Sequence, residues 1–318
     1  DIGGDDEAII VDLERLDRRA LAFFVVVNAF LDGTHFSDVD MGYCRVVQNP
    51  RSPMANEVCR FELDMKGPHT GIILCRVARA ADGSWELLTL GKVDFECRNW
   101  GVMVPQLKEG LRDLVPHVRV TPRDFVSVLR KGQDFKVADL RDDKADVFTF
   151  GLAWDITDVD GDGRGDAVDL DASAICLDEQ LRVLDIVYYG QLRSKDGSIK
   201  HGGDEREGDE KGDDEKIHIN LAKLHPNCVF VGFVINSYSG VPLRVVKDVK
   251  SHLFESDTYR DVCRLDITGG ARFSQTALVV CCLYRTNKED WYFRAVEEEA
   301  PGRTAHENVD ELQHFLKR

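Results

Sequence analysis

No Cys-x-x-Cys pair occurs among the nine cysteines of this 318-residue chain, which are odd in number and scattered. Their spacing argues against a zinc site or a disulfide framework. Cys75, Cys176, Cys228, Cys281 and Cys282 sit inside apolar runs and read as small buried hydrophobes in a reducing compartment. No stretch approaches the roughly 18 apolar residues of a membrane span; the longest candidate, residues 20–31, contains an asparagine. Neither a signal peptide, an N-x-S/T site nor a lipidation motif is present. The expected location is therefore the cytoplasm or another reducing intracellular compartment. Residue 1 is Asp and falls inside an acidic motif, so an N-terminal targeting segment stays open. Walker A, G-x-S-x-G, H-E-x-x-H and Rossmann fingerprints are all missing, and the residues make no positive case for an enzyme.

Positive charge is also in short supply. Lys and Arg number 41 against 57 Asp and Glu, a net −16. Nucleic acid and anionic membranes are disfavoured as partners, since phosphates would be repelled. Another protein or an assembly is the expected partner, with the oligomeric state left open. The charge is concentrated: residues 155–215 hold 19 Asp/Glu and 7 Lys/Arg, a net −12 in about a fifth of the chain. Within it, residues 204–215 read D-E-R-E-G-D-E-K-G-D-D-E, eight carboxylates and two glycines in twelve residues. Carboxylates crowded on a glycine-hinged turn repel one another unless a cation sits among them, and a hard divalent ion such as calcium suits them best. A solvated acidic surface is the alternative.

The chain repeats itself. Gly4-Asp5-Asp6-Glu7 reproduces Gly212-Asp213-Asp214-Glu215, each followed by an alternating apolar run. Residues 4–48 run against 212–256 at a constant offset of 208, placing Asn28 on Asn236. Further on, Val58-Cys59-Arg60 meets Val262-Cys263-Arg264, and Trp85 meets Trp291. Finally Leu107 and Leu111 meet Leu312 and Leu316. Such persistence over loops marks a tandem duplication. The second copy carries residues 125–211 ahead of its Gly-Asp-Asp-Glu, and the first has almost nothing there.

Short runs rich in β-branched and aromatic residues predict strands at 22–30, 44–47, 58–63, 71–77 and 85–90, and again at 147–156 and 168–177. Apolar residues at three- and four-residue steps predict a helix over 102–114. The expected fold is mainly β: two tandem β-sandwich domains, each ending in a C-terminal helix, bounded at 1–117 and 123–318. Pro116 and Pro122 bracket the connection.

Asp169 and Asp171, two apart on a strand, project together while Leu170 goes to the core. With the D-D-E turn they could supply most of the six to eight oxygens that calcium takes. Asp158, Asp160, Asp162, Gly163, Asp166 and Asp169 fit EF-hand loop spacing, but the flanks alternate like strands, so a true EF-hand is not expected. That loop is either a cation loop on a β scaffold or a solvated acidic hairpin. His201 reads as an exposed turn histidine, and Trp154 and Trp291 as core.

With these residues assembled, the second half resembles the TerD family, named for tellurium resistance and including calcium-binding stress proteins and a cAMP-binding relative. The matching pieces are Leu129-Arg130-Lys131-Gly132-Gln133, Gly151-Leu152-Ala153-Trp154-Asp155 and Asp169-Leu170-Asp171-Ala172-Ser173-Ala174. They continue with Asp196-Gly197-Ser198-Ile199-Lys200-His201, the run Gly203-Asp204 to Glu215, and Tyr284-Arg285 with Trp291-Tyr292-Phe293-Arg294-Ala295. Residues 4–95 resemble only the family's latter portion. The resemblance implies a calcium-stabilised β-sandwich with a non-enzymatic role in stress or signalling. Carried over residue by residue, the implied ligands are Asp169, Asp171, Asp204, Asp209, Asp213, Asp214 and Glu215, with Asp158, Asp160, Asp162 and Asp166 as secondary candidates. Glu205 and Glu207 stand where the family commonly has Asn and Thr, and the 158–166 loop is long for it. In the first copy Asp1, Asp5, Asp6 and Glu7 match only the end of the motif and are expected to bind weakly or not at all. Two other readings stay open: a scaffold protein with a structural calcium ion, and binding of a cyclic nucleotide or other small ligand.

Overall fold

The computed structural model describes residues 5–29, 33–39, 42–50, 55–63, 67–121, 124–140, 146–155, 169–203, 213–265, 273–287 and 290–317. Its contacts divide the chain into two compact units, 1–124 and 125–318.

In the first unit, β1 (Ala22–Asn28), β4 (Gly71–Arg79) and β5 (Trp85–Asp94) form an antiparallel sheet in the order β1-β4-β5, while β2 (Tyr43–Gln48) pairs with β3 (Asn56–Glu62). Phe36, Ile72, Leu74 and Cys75 make one small core, and Ile73, Cys97 and Met103 make another. The predicted helix arrives shorter than its periodicity suggested. A 3-10 turn over Trp100–Met103, capped by the Asn99 side chain, leads into α1 (Val104–Glu109). Pro105 suits a first helical turn and Gly110 closes it.

The second unit begins with β6 (Ser127–Leu129), β7 (Asp134–Lys136) and the short α2 (Val137–Leu140). Next come β8 (Val147–Asp155), β9 (Leu170–Leu177), β10 (Val183–Val187), β11 (Ile199–His201) and β12 (Glu215–Asn220). The remainder is β13 (Phe230–Ser237), β14 (Lys247–Glu255), β15 (Asp261–Leu265), β16 (Ala277–Arg285), β17 (Trp291–Ala300) and α3 (Val309–Leu316). Two six-stranded sheets result, ordered β10-β9-β13-β16-β17-β7 and β11-β12-β8-β14-β15-β6. Between them lie Phe148, Phe150, Leu152 and Trp154 from β8, facing Leu170, Ala172, Phe233 and Ile235. The Phe150 and Phe233 rings stack at 4.6 Å across that core. This is a β-sandwich with a C-terminal helix.

On the far side of the first of these sheets, Ile175, Leu177, Val234, Val279 and Cys282 pack under α3 through Leu312. Gly232 makes this possible, because a Cβ there would collide with the Leu312 side chain. Gly232→Val is expected to lift the helix and cost about 1–3 kcal/mol, read as a lower urea midpoint.

Duplication is written into the pairing irregularities. The β1/β4 ladder shifts register between Val25 and Val26, and β13/β16 shifts between Phe233 and Val234, 208 residues on. The β4/β5 shift lies between Ile73 and Cys75, matched in β16/β17 between Val279 and Cys281. Bulges are specific devices rather than noise, so their recurrence identifies β1, β4 and β5 with β13, β16 and β17.

Candidate functional site

Along β12 the inward positions are Glu215, Ile217 and Ile219, with Ile217 and Ile219 in the core and Glu215 at its rim. A carboxylate placed there must be paired, since a buried unpaired charge costs several kcal/mol. His201, at the end of β11 opposite Ile217, supplies the partner. Its Nε2 lies 2.9 Å from Glu215 Oε2, and both side chains are fully buried. The same Nε2 lies 3.0 Å from the Ala172 carbonyl on β9, while the Ala172 amide approaches Glu215 Oε2 at 3.5 Å. The three residues clamp the start of β12 to the start of β9, in opposite sheets. Burial disfavours the imidazolium, but the Glu215 carboxylate outweighs it and the His201 pKa is raised. The Gly203 amide donates to Nδ1, which places the neutral ring's proton on Nε2; protonating Nδ1 would sacrifice that bond.

Asp171 points the other way. Leu170 and Ala172 enter the core, so Asp171 projects from the opposite face of its sheet. It is 4 % exposed, and its Oδ2 accepts from Asn236 Nδ2 at 3.3 Å. Asn236 also donates to the Arg303 carbonyl at 2.8 Å, tying this face to the segment that leads into α3. Asp169 precedes the strand, and its carbonyl accepts the Tyr238 amide.

Asp213 and Asp214 split again. Asp214 Oδ2 accepts the Trp154 amide of β8 at 2.9 Å. Asp213 lies over Gly151, where any Cβ would strike its carboxylate, and its Oδ1 is 2.8 Å from His252 Nε2. The other ring nitrogen, Nδ1, is 2.5 Å from Asp261 Oδ1. Burial opposes the charge on this ring, but the two carboxylates outweigh it and hold the His252 pKa up at about 9. Arg264 pairs with the other oxygen of Asp261.

The first unit repeats this arrangement with two changes, Arg45 for His252 and Glu57 for Asp261. Asp5 is held by Arg45 at 2.8 Å, Arg45 also reaches Glu57, and Glu57 pairs with Arg60. Arg45 stands opposite Arg60 on β2/β3 just as His252 stands opposite Arg264 on β14/β15. The Arg45 guanidinium holds the Asp5 carboxyl below its ordinary range. Asp5 is thereby engaged by a fixed cation.

The sequence matches the TerD domain family over residues 1–93 and 126–305. The chain belongs to the TerD family. It is 31 % identical to tellurium resistance protein TerZ of Serratia marcescens over 160 residues, 49 % of this chain and 81 % of that protein. Against tellurium resistance protein TerD of the same organism the identity is 34 % over 153 residues, 46 % and 77 % of the two chains. The stress response protein SCP2 of Bacillus subtilis is 30 % identical over 186 residues, 54 % of this chain and 90 % of that one. Among solved structures, a telluride resistance protein homologue from Streptomyces coelicolor superposes with a TM-score of 0.43 at 20 % identity, over 52 % of this chain and 95 % of that one.

Within the second TerD match, the described site residues surround one end of the sandwich but do not face one point. Among the described residues no group of three or more His, Cys, Asp or Glu is arranged to hold a metal ion. Asp158, Asp160, Asp162 and Asp166, and likewise Asp204 and Asp209, lie outside the described residues. His201 is a correction: it is 1 % exposed, not a turn histidine at the surface. His252, Asp261 and Asn236 were not singled out as site residues. Only Asn236 has a signal in the repeat, which sets Asn28 on it; His252 and Asp261 have none, since Cys44 lies at the 208 offset from His252 and Glu57 stands where Asp261 does. Trp154 and Trp291 are buried as expected, and among the described residues no helix is long and apolar enough to cross a membrane.

Proposed function

We propose that the second unit is a non-enzymatic, calcium-binding module acting in stress response or calcium-linked signalling; of this, the names of its relatives speak only to stress and tellurium resistance. The observation that carries this reading is the clamp of Glu215, His201 and Ala172. It ties the start of β9 to the start of β12, and each strand is preceded by an acidic stretch: 158–169 before one, 204–215 before the other. The described ends of the two stretches, Asp169 and Asp213 to Glu215, therefore lie near one rim. The donors are oxygens throughout, which suits a hard cation that takes six to eight of them. Asp169, Asp171, Asp213, Asp214 and Glu215 are partly engaged by protein donors already. Because they do not face one point, they would not all share a single ion; Asp204 and Asp209 are the further ligands proposed. Bound there, calcium would neutralise charge that otherwise repels.

The test is calorimetric titration with calcium after chelation, paired with melting curves. A ligand that binds the folded state adds about RT ln(1 + [L]/Kd) to its stability. Asp213→Asn with Asp214→Asn is expected to abolish both heat and shift, while Asp5→Asn with Asp6→Asn barely alters them, because Asp5 is already paired with Arg45. No heat and no shift for the parent chain would overturn the reading. Equal losses from the two pairs would place a second site in the first unit. Micromolar binding with a changed far-UV spectrum favours a sensor. Very tight binding that only raises the melting point favours a scaffold with a structural ion.

A further inference from the structure

Among the described residues, four rings carry an arginine of their own. Arg60 lies over Tyr43, Arg79 over Trp85, Arg285 over Trp291 and Arg294 over Tyr284, each 4.3–5.0 Å from the ring centre. Tyr238 carries none among the described residues, and it is 52 % exposed. A braced turn at the end of β13 presents it. The Gly240 amide donates to the Ser237 carbonyl, and Gly240 takes the positive φ of 78° that this turn uses. The Val241 amide donates to Ser237 Oγ at 3.1 Å, the Tyr238 amide to the Asp169 carbonyl at 3.2 Å, and Arg303 to the Ser239 carbonyl at 2.8 Å.

Tyr238 is one end of a ladder of rings. It meets Tyr189 edge-on at 6.0 Å, Tyr189 meets Tyr188 at 5.2 Å, and Tyr188 meets His306 at 5.1 Å. Tyr188 and Gln191 exchange both backbone hydrogen bonds, so the turn after β10 is fixed too. Rings held on fixed turns lose little entropy when a partner covers them. Carboxylates border the ladder. Asp185 Oδ1 accepts from Gln191 at 2.8 Å, Asp171 is held by Asn236, Asp169 lies against the Tyr238 amide, and Glu307 follows His306. Set against them are Arg303, turned to the Ser239 carbonyl, and Lys195, 3.8 Å from Asp185. Residues 155–215, to which Tyr188 and Tyr189 belong, carry a net −12. The negative field and the negative ring faces favour the same kind of partner group, a cation.

We propose that the Tyr189–Tyr238 face docks an arginine-bearing segment of a partner protein. One guanidinium stacks on the open face of Tyr238 while its donors point towards the carboxylates around the ladder. Arginine fits better than lysine, because its planar group stacks on a ring and bonds oxygens at its edge. The proposal does not need calcium, and its test is run with a chelator present.

The probe is the peptide acetyl-Gly-Arg-Gly-Arg-Gly-Arg-amide, titrated into the full chain and followed by the ring resonances of the tyrosines. Saturable binding that weakens with salt is expected. Tyr238→Ala should weaken it about fivefold or more, and Tyr238→Phe should keep it, because the ring and not the hydroxyl makes the contact. Both variants should melt with the parent, since the side chain is exposed. Citrulline in place of each arginine of the peptide keeps the shape without the charge and should abolish binding. Binding that survives Tyr238→Ala is attraction to the acidic surface alone and overturns the proposal, as does equal binding of the citrulline peptide or a failure to saturate. So does a chain that sediments as a dimer and becomes monomeric on Tyr238→Ala, which would make a second copy the occupant.

Discussion

Replacing Glu215 with alanine should destabilise the second unit by about 3–5 kcal/mol, the usual cost of removing one partner from a fully buried ion pair. Both side chains are at 0 % exposure, so no water replaces the lost carboxylate at His201 Nε2. The Ala172 amide also loses its acceptor. Hydrogen exchange of β8 and β12 amides in urea reads this unit separately from the first. His201→Leu combined with Glu215→Leu should recover most of the loss, because an apolar pair needs no charge compensation. If the single variant costs less than about 1 kcal/mol, the range of an exposed pair, the clamp does not hold the two sheets together and its use in siting calcium falls with it.

The second large effect contrasts one position in the two copies. Phe233→Ala empties a site in the centre of the core, stacked on Phe150, and is expected to cost about 3–5 kcal/mol. Val25→Ala, its counterpart, removes methyl groups from a half-buried face and should cost about 1 kcal/mol or less. Equilibrium unfolding of each variant decides the matter. A Val25→Ala cost near that of Phe233→Ala would mean that the inner face of β1 is covered.

Much of the framework was legible because repetition and alternation are local properties. The offset of 208 identified the duplicate before any contact was known, and alternation placed Leu170 in the core with Asp171 facing away. The site was less legible because its contacts are long-range. His201 looked like a turn residue since Gly202 and Gly203 follow it; its burial depends on Ala172, 29 residues earlier, and on Glu215. Adjacent acids likewise read as one cluster, yet Asp213, Asp214 and Glu215 reach three different partners, on β14, β8 and β11. Backbone geometry at the start of a strand dealt them to separate faces, which composition does not reveal. The helix over 102–114 was too long because apolar spacing continues through Leu111 and Leu114 after Gly110 has ended the α-helical hydrogen bonding.

The seat of Leu312 over Gly232 has a practical meaning for anyone handling this chain. Residues 309–316 are the lid of a core, not a dispensable tail. Trimming the final turn and a half, or fusing a bulky partner directly after Leu316, would uncover Ile175, Val234 and Val279 together. Susceptibility to a protease that cuts within residues 309–316 would therefore report the integrity of this outer layer from a single cleavage site.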